Sequence, residues 1–146
     1  MPAIRDAHGL SQGIPTSEPI KSLYSAVGEP SPPVADPNPD QSSCGFRYFL
    51  PLIPLSGDAA CEADNMVKSI FRSGGFVPYI TFNILDHRTL EAVISISFRR
   101  GDPTESDRAN GVVDTLREEF KKRGWYPYRV GVEEMNSVVD PTSPRW

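Results

Sequence analysis

Proline placement constrains this chain more than any other feature. Eight of its 15 prolines fall within residues 1–39. The run "GEPSPPVADPNPDQSS" holds them too densely for a helix or a central strand, because each proline removes a backbone donor and fixes φ. The spacing predicts a proline-rich extended arm over 1–44, and a folded domain from Gly45 onward, where aromatic and aliphatic residues take over. At 146 residues the chain has room for one domain with a substantial core but not for two.

The formal net charge is -4 with a pI near 5.1. That balance argues against nucleic acid and against a polybasic membrane patch, both of which need a cationic surface. Cys44 and Cys61 lack CxxC spacing and the density of a secreted disulfide scaffold, so both are expected as free thiols. The opening "MPAIRDAHGL" has no apolar h-region, and no stretch approaches the roughly 20 apolar residues of a membrane span. A cytoplasmic location is expected.

Hydrophobic periodicity then sets the element order. "FRYFLPLIPLSG" reads as a strand that Pro51 and Pro54 confine to an edge. In "SGDAACEADNMVKSIFRSGG", Ala63, Met66, Val67, Ile70 and Phe71 recur at helical spacing. Ser56 or Asp58 caps the start and Gly74 with Gly75 stops it. "YITFNIL" and "LEAVISISF" are strands joined by the tight turn "DHRT". Alternation sets Ile80, Phe82 and Ile84 against Tyr79, Thr81 and Asn83. It likewise sets Ala92, Ile94, Ile96 and Phe98 against Glu91, Val93, Ser95 and Ser97.

A second amphipathic helix follows, with Ala109, Val112, Val113 and Leu116 on one stripe and Lys121, Lys122 and Arg123 at its end, as the helix dipole favours. Gly124 ends it, "YPYRVGV" returns as a strand, and "EEMNSVVD" begins a further short helix. The order β-α-β-β-α-β is that of an α+β, ferredoxin-like antiparallel sheet with two helices on one face. Its other face, carrying Thr81, Asn83, Glu91, Ser95 and Ser97, is left polar and open.

Catalytic signatures are sparse. The chain has no GxSxG, P-loop, HExxH or GxGxxG pattern. His8 and His87 have no acidic or cysteine partner at ligand spacing, so no metal site is expected. Glu133 and Glu134 are expected to cap a helix or face solvent. Tyr128 and Arg129 stand apart, since a phenol beside a guanidinium can anchor an anionic or phenolic group and stabilise developing negative charge. Neighbouring strand residues point to opposite faces, so the two serve one site only where the backbone bends. Pro127 and Gly131 supply such a bend.

The segments "GIPTSEPIKSLY", "FRYFLPLIPLSGDAA", "YITFNILDHRTLEAVISISFRRGDP" and "GWYPYRVGVEEMNSVVD", in that order, resemble the C-terminal cap domain of vanillyl-alcohol oxidase and para-cresol methylhydroxylase type flavoproteins. The resemblance runs from about Gly13 to Trp146. It implies an FAD-dependent oxidoreductase that removes hydride from a phenolic or related alcohol substrate. It also implies that Tyr128 and Arg129 are the pair contacting the substrate phenolate. The polar face would then look toward flavin through Glu91 and Ser95 and toward substrate through Asn83 and Ser97.

In some members a histidine or tyrosine on the strand matching "LEAVISISF" holds FAD covalently. Glu91 or Ala92 stands there in this chain, so the resemblance implies non-covalent FAD. Nothing in the chain resembles the family's FAD-binding domain, and relatives continue beyond "DPTSPRW". The implied partners are a separate FAD-binding domain or subunit and a small phenolic or alcohol substrate, with homo-oligomer formation left open. The isolated chain is not expected to turn over by itself. The alternative is a free-standing ferredoxin-like module that binds a small ligand or self-associates without catalysis.

Overall fold

Helix-stop glycines and paired prolines, more than strand propensity, decide where the elements of this chain begin and end. The computed structural model describes residues 5, 8–9, 11–15, 18–30 and 41–135. The heart of the proline run and everything after Met135 lie outside the described residues. Two compact units emerge: residues 1–46 with 97–109, and residues 47–96 with 110–146.

In the first unit, helix α1 spans Glu18–Ala26, inside the region expected to be extended. Pro19 falls in its first turn, where a missing N–H costs no intrahelical bond. Gly28 ends the helix at φ +73, and the Glu29 amide returns to the Tyr24 carbonyl at 2.9 Å. The prolines that forbid helix begin only after this stop. Tyr24, Val27 and Cys44 form a small buried cluster. Arg99 closes the unit by pairing with Glu29 and with the buried Glu105, each at 3.3 Å, and by donating Nη2 to the Val27 carbonyl at 2.8 Å.

The sheet has four strands: β1 (Cys44–Phe49), β2 (Leu52–Pro54), β3 (Ile80–Ile84) and β4 (Thr89–Arg99). β4 is the hub. β2 pairs with it antiparallel from Leu52↔Glu91 to Pro54↔Thr89, and β3 pairs antiparallel from Ile80↔Ile94 to Ile84↔Leu90. The β3–β4 hairpin closes as expected, with the Leu85 amide on the Thr89 carbonyl at 3.1 Å and Asp86 Oδ1 accepting from the Arg88 amide at 2.7 Å.

Within the second unit, helix α2 (Gly57–Ser73) packs on β2 and β3. Of the two capping candidates it is Ser56 that caps, its side chain accepting from the Ala59 amide at 3.1 Å. Ala63, Val67, Ile70 and Phe71 of its expected stripe are buried. Helix α3 (Pro103–Lys121) buries Ala109, Val112, Val113 and Leu116, again the expected stripe. Phe120 near its end packs edge-on against Phe49 at 5.2 Å and Trp125 at 5.6 Å.

The α+β fold with an open antiparallel sheet is therefore as expected, with one difference at its end. "YPYRVGV" makes only an isolated bridge, Pro51↔Pro127, and Val132–Glu134 turn into a 3-10 helix. The prolines face each other, so neither supplies an N–H and the ladder cannot propagate. What holds the segment is a pair of bonds around them, Leu52 N–H to the Tyr126 carbonyl at 3.0 Å and Tyr128 N–H to the Leu50 carbonyl at 3.2 Å.

Candidate functional site

Gly124, at φ +71, lets the chain reverse after α3, and the Trp125 amide returns to the Phe120 carbonyl at 3.0 Å. Trp125 is then buried as a foot for the segment above it. Tyr126 and Tyr128, two residues apart on either side of Pro127, are both about half exposed. The chain bends at Tyr128.

That bend resolves the alternation problem posed by adjacent Tyr128 and Arg129. The Arg129 guanidinium carbon lies 5.7 Å from the centroid of the Tyr128 ring, within cation–π range. Arg129 also borders a shallow cavity of about 220 Å³ whose walls include Tyr48, Arg117, Pro127 and Glu134.

The Tyr128 phenol neighbours the Glu91 carboxylate. Its interaction with Glu91 is the main cause that pushes its pKa above the ordinary tyrosine value. Partial burial and the Glu91 charge act the same way, and Arg129 opposes them. Glu91 itself is only 9 % exposed. Its second neighbour is Asn83, directly opposite it in the β3–β4 ladder, whose Nδ2 donates to Glu91 Oε2 at 3.0 Å. Burial of a carboxylate is costly unless donors meet it, and here the Asn83 amide donates to it with the Tyr128 phenol nearby.

Of the residues singled out in the sequence, Tyr128, Arg129, Glu91 and Asn83 thus come together on the open face. Ser95 lies two alternations further along β4, half-buried, its amide bonded to the Tyr79 carbonyl at 3.2 Å. Ser97, also half-buried, falls in the first unit, apart from this cluster in the division of the chain.

Sequence reasoning missed a charged latch beneath the segment. Glu134 does not face solvent; its Oε1 lies 3.3 Å from Arg47 Nη1 on β1 and 2.8 Å from Arg117 Nη2 on α3. The N–H of Arg117 Nη2 points off the carboxylate oxygen, so that contact is ionic rather than a well-formed hydrogen bond. Arg117 Nη1 also meets Asp114 at 2.7 Å. No local pattern predicts this, because the three partners come from distant parts of the chain. The side chain of Glu133 lies outside the described residues.

Both cysteines are free thiols, Cys44 buried and Cys61 exposed, and burial pushes the Cys44 thiol pKa up. Among the described residues no group of histidine, cysteine and acidic side chains is arranged to hold a metal, and no helix is long and apolar enough to cross a membrane.

An open antiparallel sheet with helices against one face, and a phenol, guanidinium, carboxylate and amide on or beside the other, defines an α+β module of the ferredoxin-like kind. Comparison with known proteins shows what the chain is similar to. No family model matches the chain. It is 26 % identical over 126 residues to 1'-carboxy-chondrochloren decarboxylase of Chondromyces crocatus, covering 86 % of this chain and 23 % of that protein. It is 27 % identical over 100 residues to the flavoprotein subunit of 4-cresol dehydrogenase (hydroxylating) of Pseudomonas putida, covering 68 % of this chain and 19 % of that one.

Among solved structures, p-cresol methylhydroxylase with substrate bound superposes with a TM-score of 0.61 at 28 % identity, over 64 % of this chain and 18 % of that one. The 4-ethylphenol oxidase of Gulosibacter chungangensis, in its isoeugenol complex, gives 0.62 at 18 % identity over 67 % and 18 %, a likeness of fold. The chain spans about a fifth of the length of these relatives. The matched region is consistent with a cap domain of the vanillyl-alcohol oxidase type.

Proposed function

We propose that this chain is the substrate-facing cap portion of an FAD-dependent oxidoreductase acting on a phenolic or related alcohol, with residues 45–146 as the cap and 1–44 as its arm. The observation that carries the reading is the convergence of Tyr128, Arg129, Glu91 and Asn83 on an uncovered sheet face, in a chain similar to 4-cresol dehydrogenase. Tyr128 would hydrogen-bond the substrate oxygen, and Arg129 would balance negative charge on the phenolate or near the flavin. Asn83 and Ser97 would line the substrate side, Glu91 and Ser95 the cofactor side.

The residues fit a non-covalently held flavin. Ala92 is fully buried and has no nucleophile, and the Glu91 carboxylate is already engaged by Asn83 and Tyr128. FAD, bound by a separate domain or subunit, would supply the hydride acceptor. The chain's own residues would orient the phenol, hold its oxygen and exclude water. Free Cys44 and Cys61 support a cytoplasmic setting.

The test is an assay of phenolic alcohols with the chain joined to, or mixed with, an FAD-binding partner, with the visible flavin spectrum recorded throughout. Tyr128→Phe and Arg129→Ala should each lower turnover by roughly tenfold or more, as loss of an oxyanion donor does. Unchanged turnover in both would remove their assigned role.

A further inference from the structure

Three guanidinium groups gather in one place, although the chain as a whole carries a net charge of -4. They are Arg47 on β1, Arg117 on α3 and Arg129 just past the Pro51↔Pro127 bridge, all in the second unit. Two carboxylates meet them. Glu134 Oε1 lies 3.3 Å from Arg47 Nη1 and 2.8 Å from Arg117 Nη2, and Asp114 Oδ1 lies 2.7 Å from Arg117 Nη1. Among the described residues no carboxylate comes within ion-pair distance of Arg129, so these side chains together carry one unbalanced positive charge. A local reversal of sign in an acidic chain attracts anions to that spot.

The surplus charge borders the cavity of about 220 Å³, which Arg117, Glu134, Tyr48, Leu50 and Pro127 also line. Its lining thus joins cations to an aromatic ring and aliphatic surface. The volume falls below the roughly 300–1,000 Å³ of sites for drug-sized ligands, which restricts an occupant to about one ring. The guanidinium fork matches a carboxylate through two parallel hydrogen bonds, and Arg47 and Arg117 already hold one carboxylate in Glu134. A single negative charge balances the surplus. A dianion would exceed it and leave charge beside Glu134.

We propose that the cavity bordered by Arg117 and Arg129 is a binding site for a small monocarboxylate carried on a single ring, with Arg129 taking the carboxylate and Tyr48 and Pro127 offering surface to the ring. The site is independent of the phenol reading, since it needs neither flavin nor the Glu91 cluster. It does share a residue with that cluster. The Arg129 guanidinium carbon lies 5.7 Å from the centroid of the Tyr128 ring and holds the Tyr128 pKa down, so a bound carboxylate neutralises that influence.

The test uses the full chain with nitrogen-15 label at arginine, in low-chloride buffer so that screening is small. Sodium benzoate is the probe, and benzamide, which has the same shape without the charge, is the control. The Arg129 Nε–H resonance should shift and saturate with benzoate and stay in place with benzamide. Arg88 and Arg123, which do not line the cavity, should not follow. Saturating benzoate should also raise the titration midpoint of Tyr128.

Two variants locate the charge. Arg129 is exposed, so Arg129→Ala should leave the circular dichroism unchanged while weakening benzoate binding, read at Arg117, by roughly tenfold, the worth of a charged hydrogen bond. Glu134→Gln removes the neighbouring negative charge, keeps an acceptor for Arg47 and Arg117, and should tighten binding. The absence of a saturable shift in the wild type would overturn the proposal. So would benzamide acting like benzoate, an equal shift at Arg88 and Arg123, or an affinity indifferent to Arg129→Ala, each of which means an adventitious contact only.

Discussion

Asn83 and Glu91 stand directly opposite one another across the β3–β4 ladder, and the amide donates to the carboxylate at 3.0 Å. With the Tyr128 phenol beside the same carboxylate, side chains bring the hairpin and the segment that follows α3 close together. A strand pairing would have done this through the backbone, but the facing prolines prevent one.

Tyr128 should titrate above ordinary tyrosine, and Glu91→Gln should bring its midpoint back toward 10.0, since the Glu91 hydrogen bond and charge are what raise it. A folded-state pKa above the unfolded one means stability that is intact below the ordinary tyrosine value and is lost as pH rises through the raised value. Ultraviolet difference absorbance of tyrosinate, with Tyr128→Phe as the subtraction control, measures the midpoint. Equal midpoints in wild type and Glu91→Gln would contradict the pairing.

Glu134→Ala leaves Arg117, which is only 12 % exposed, with a weakened counter-charge. The expected loss is roughly 1–3 kcal/mol, the cost of leaving a buried polar group without its partner. Urea unfolding of Glu134→Ala, Arg117→Ala and the double variant gives the coupling directly. Strict additivity of the two single effects would show that the contact carries no energy.

Gly74 is constrained by space rather than by φ, which is an ordinary -80°. A Cβ built there would lie 2.3 Å from Val112 Cγ2, so Gly74→Ala should cost about 1–3 kcal/mol by overpacking. Val112→Ala in the same chain should recover part of that loss. A neutral Gly74→Ala, measured by thermal unfolding, would mean that α2 and α3 can separate freely at this point.

Phe120 is fully buried and meets both Phe49 and Trp125 edge-on. Phe120→Ala should cost about 3–5 kcal/mol, the usual consequence of deleting a core aromatic. Because Trp125 supports the Tyr126–Tyr128 segment, its fluorescence should also shift to the red in the variant before global unfolding begins.

Much of the architecture was legible because short-range rules govern it. The α2 and α3 stripes, the Ser56 cap, the Gly74 and Gly124 stops and the "DHRT" hairpin all follow from periodicity and local backbone chemistry. Helix α1 was missed because the proline density that follows it was extended backward over residues that carry few prolines themselves. The expected last strand was missed for the opposite reason. Its alternation is sound, but whether Pro127 meets a donor or another proline depends on a residue that lies more than seventy positions earlier.

By itself, then, the sequence determined the element order, the apolar face of each element and the open polar face. These depend on residues a few positions apart, whose geometry the backbone dictates. Only the tertiary structure decided that Glu91 is met by Asn83 and Tyr128, that Arg129 bends back over the Tyr128 ring, and that Glu134 is held between Arg47 and Arg117. Those contacts join side chains from separate elements, and a charged or polar group finds its partner only when packing has brought the elements together.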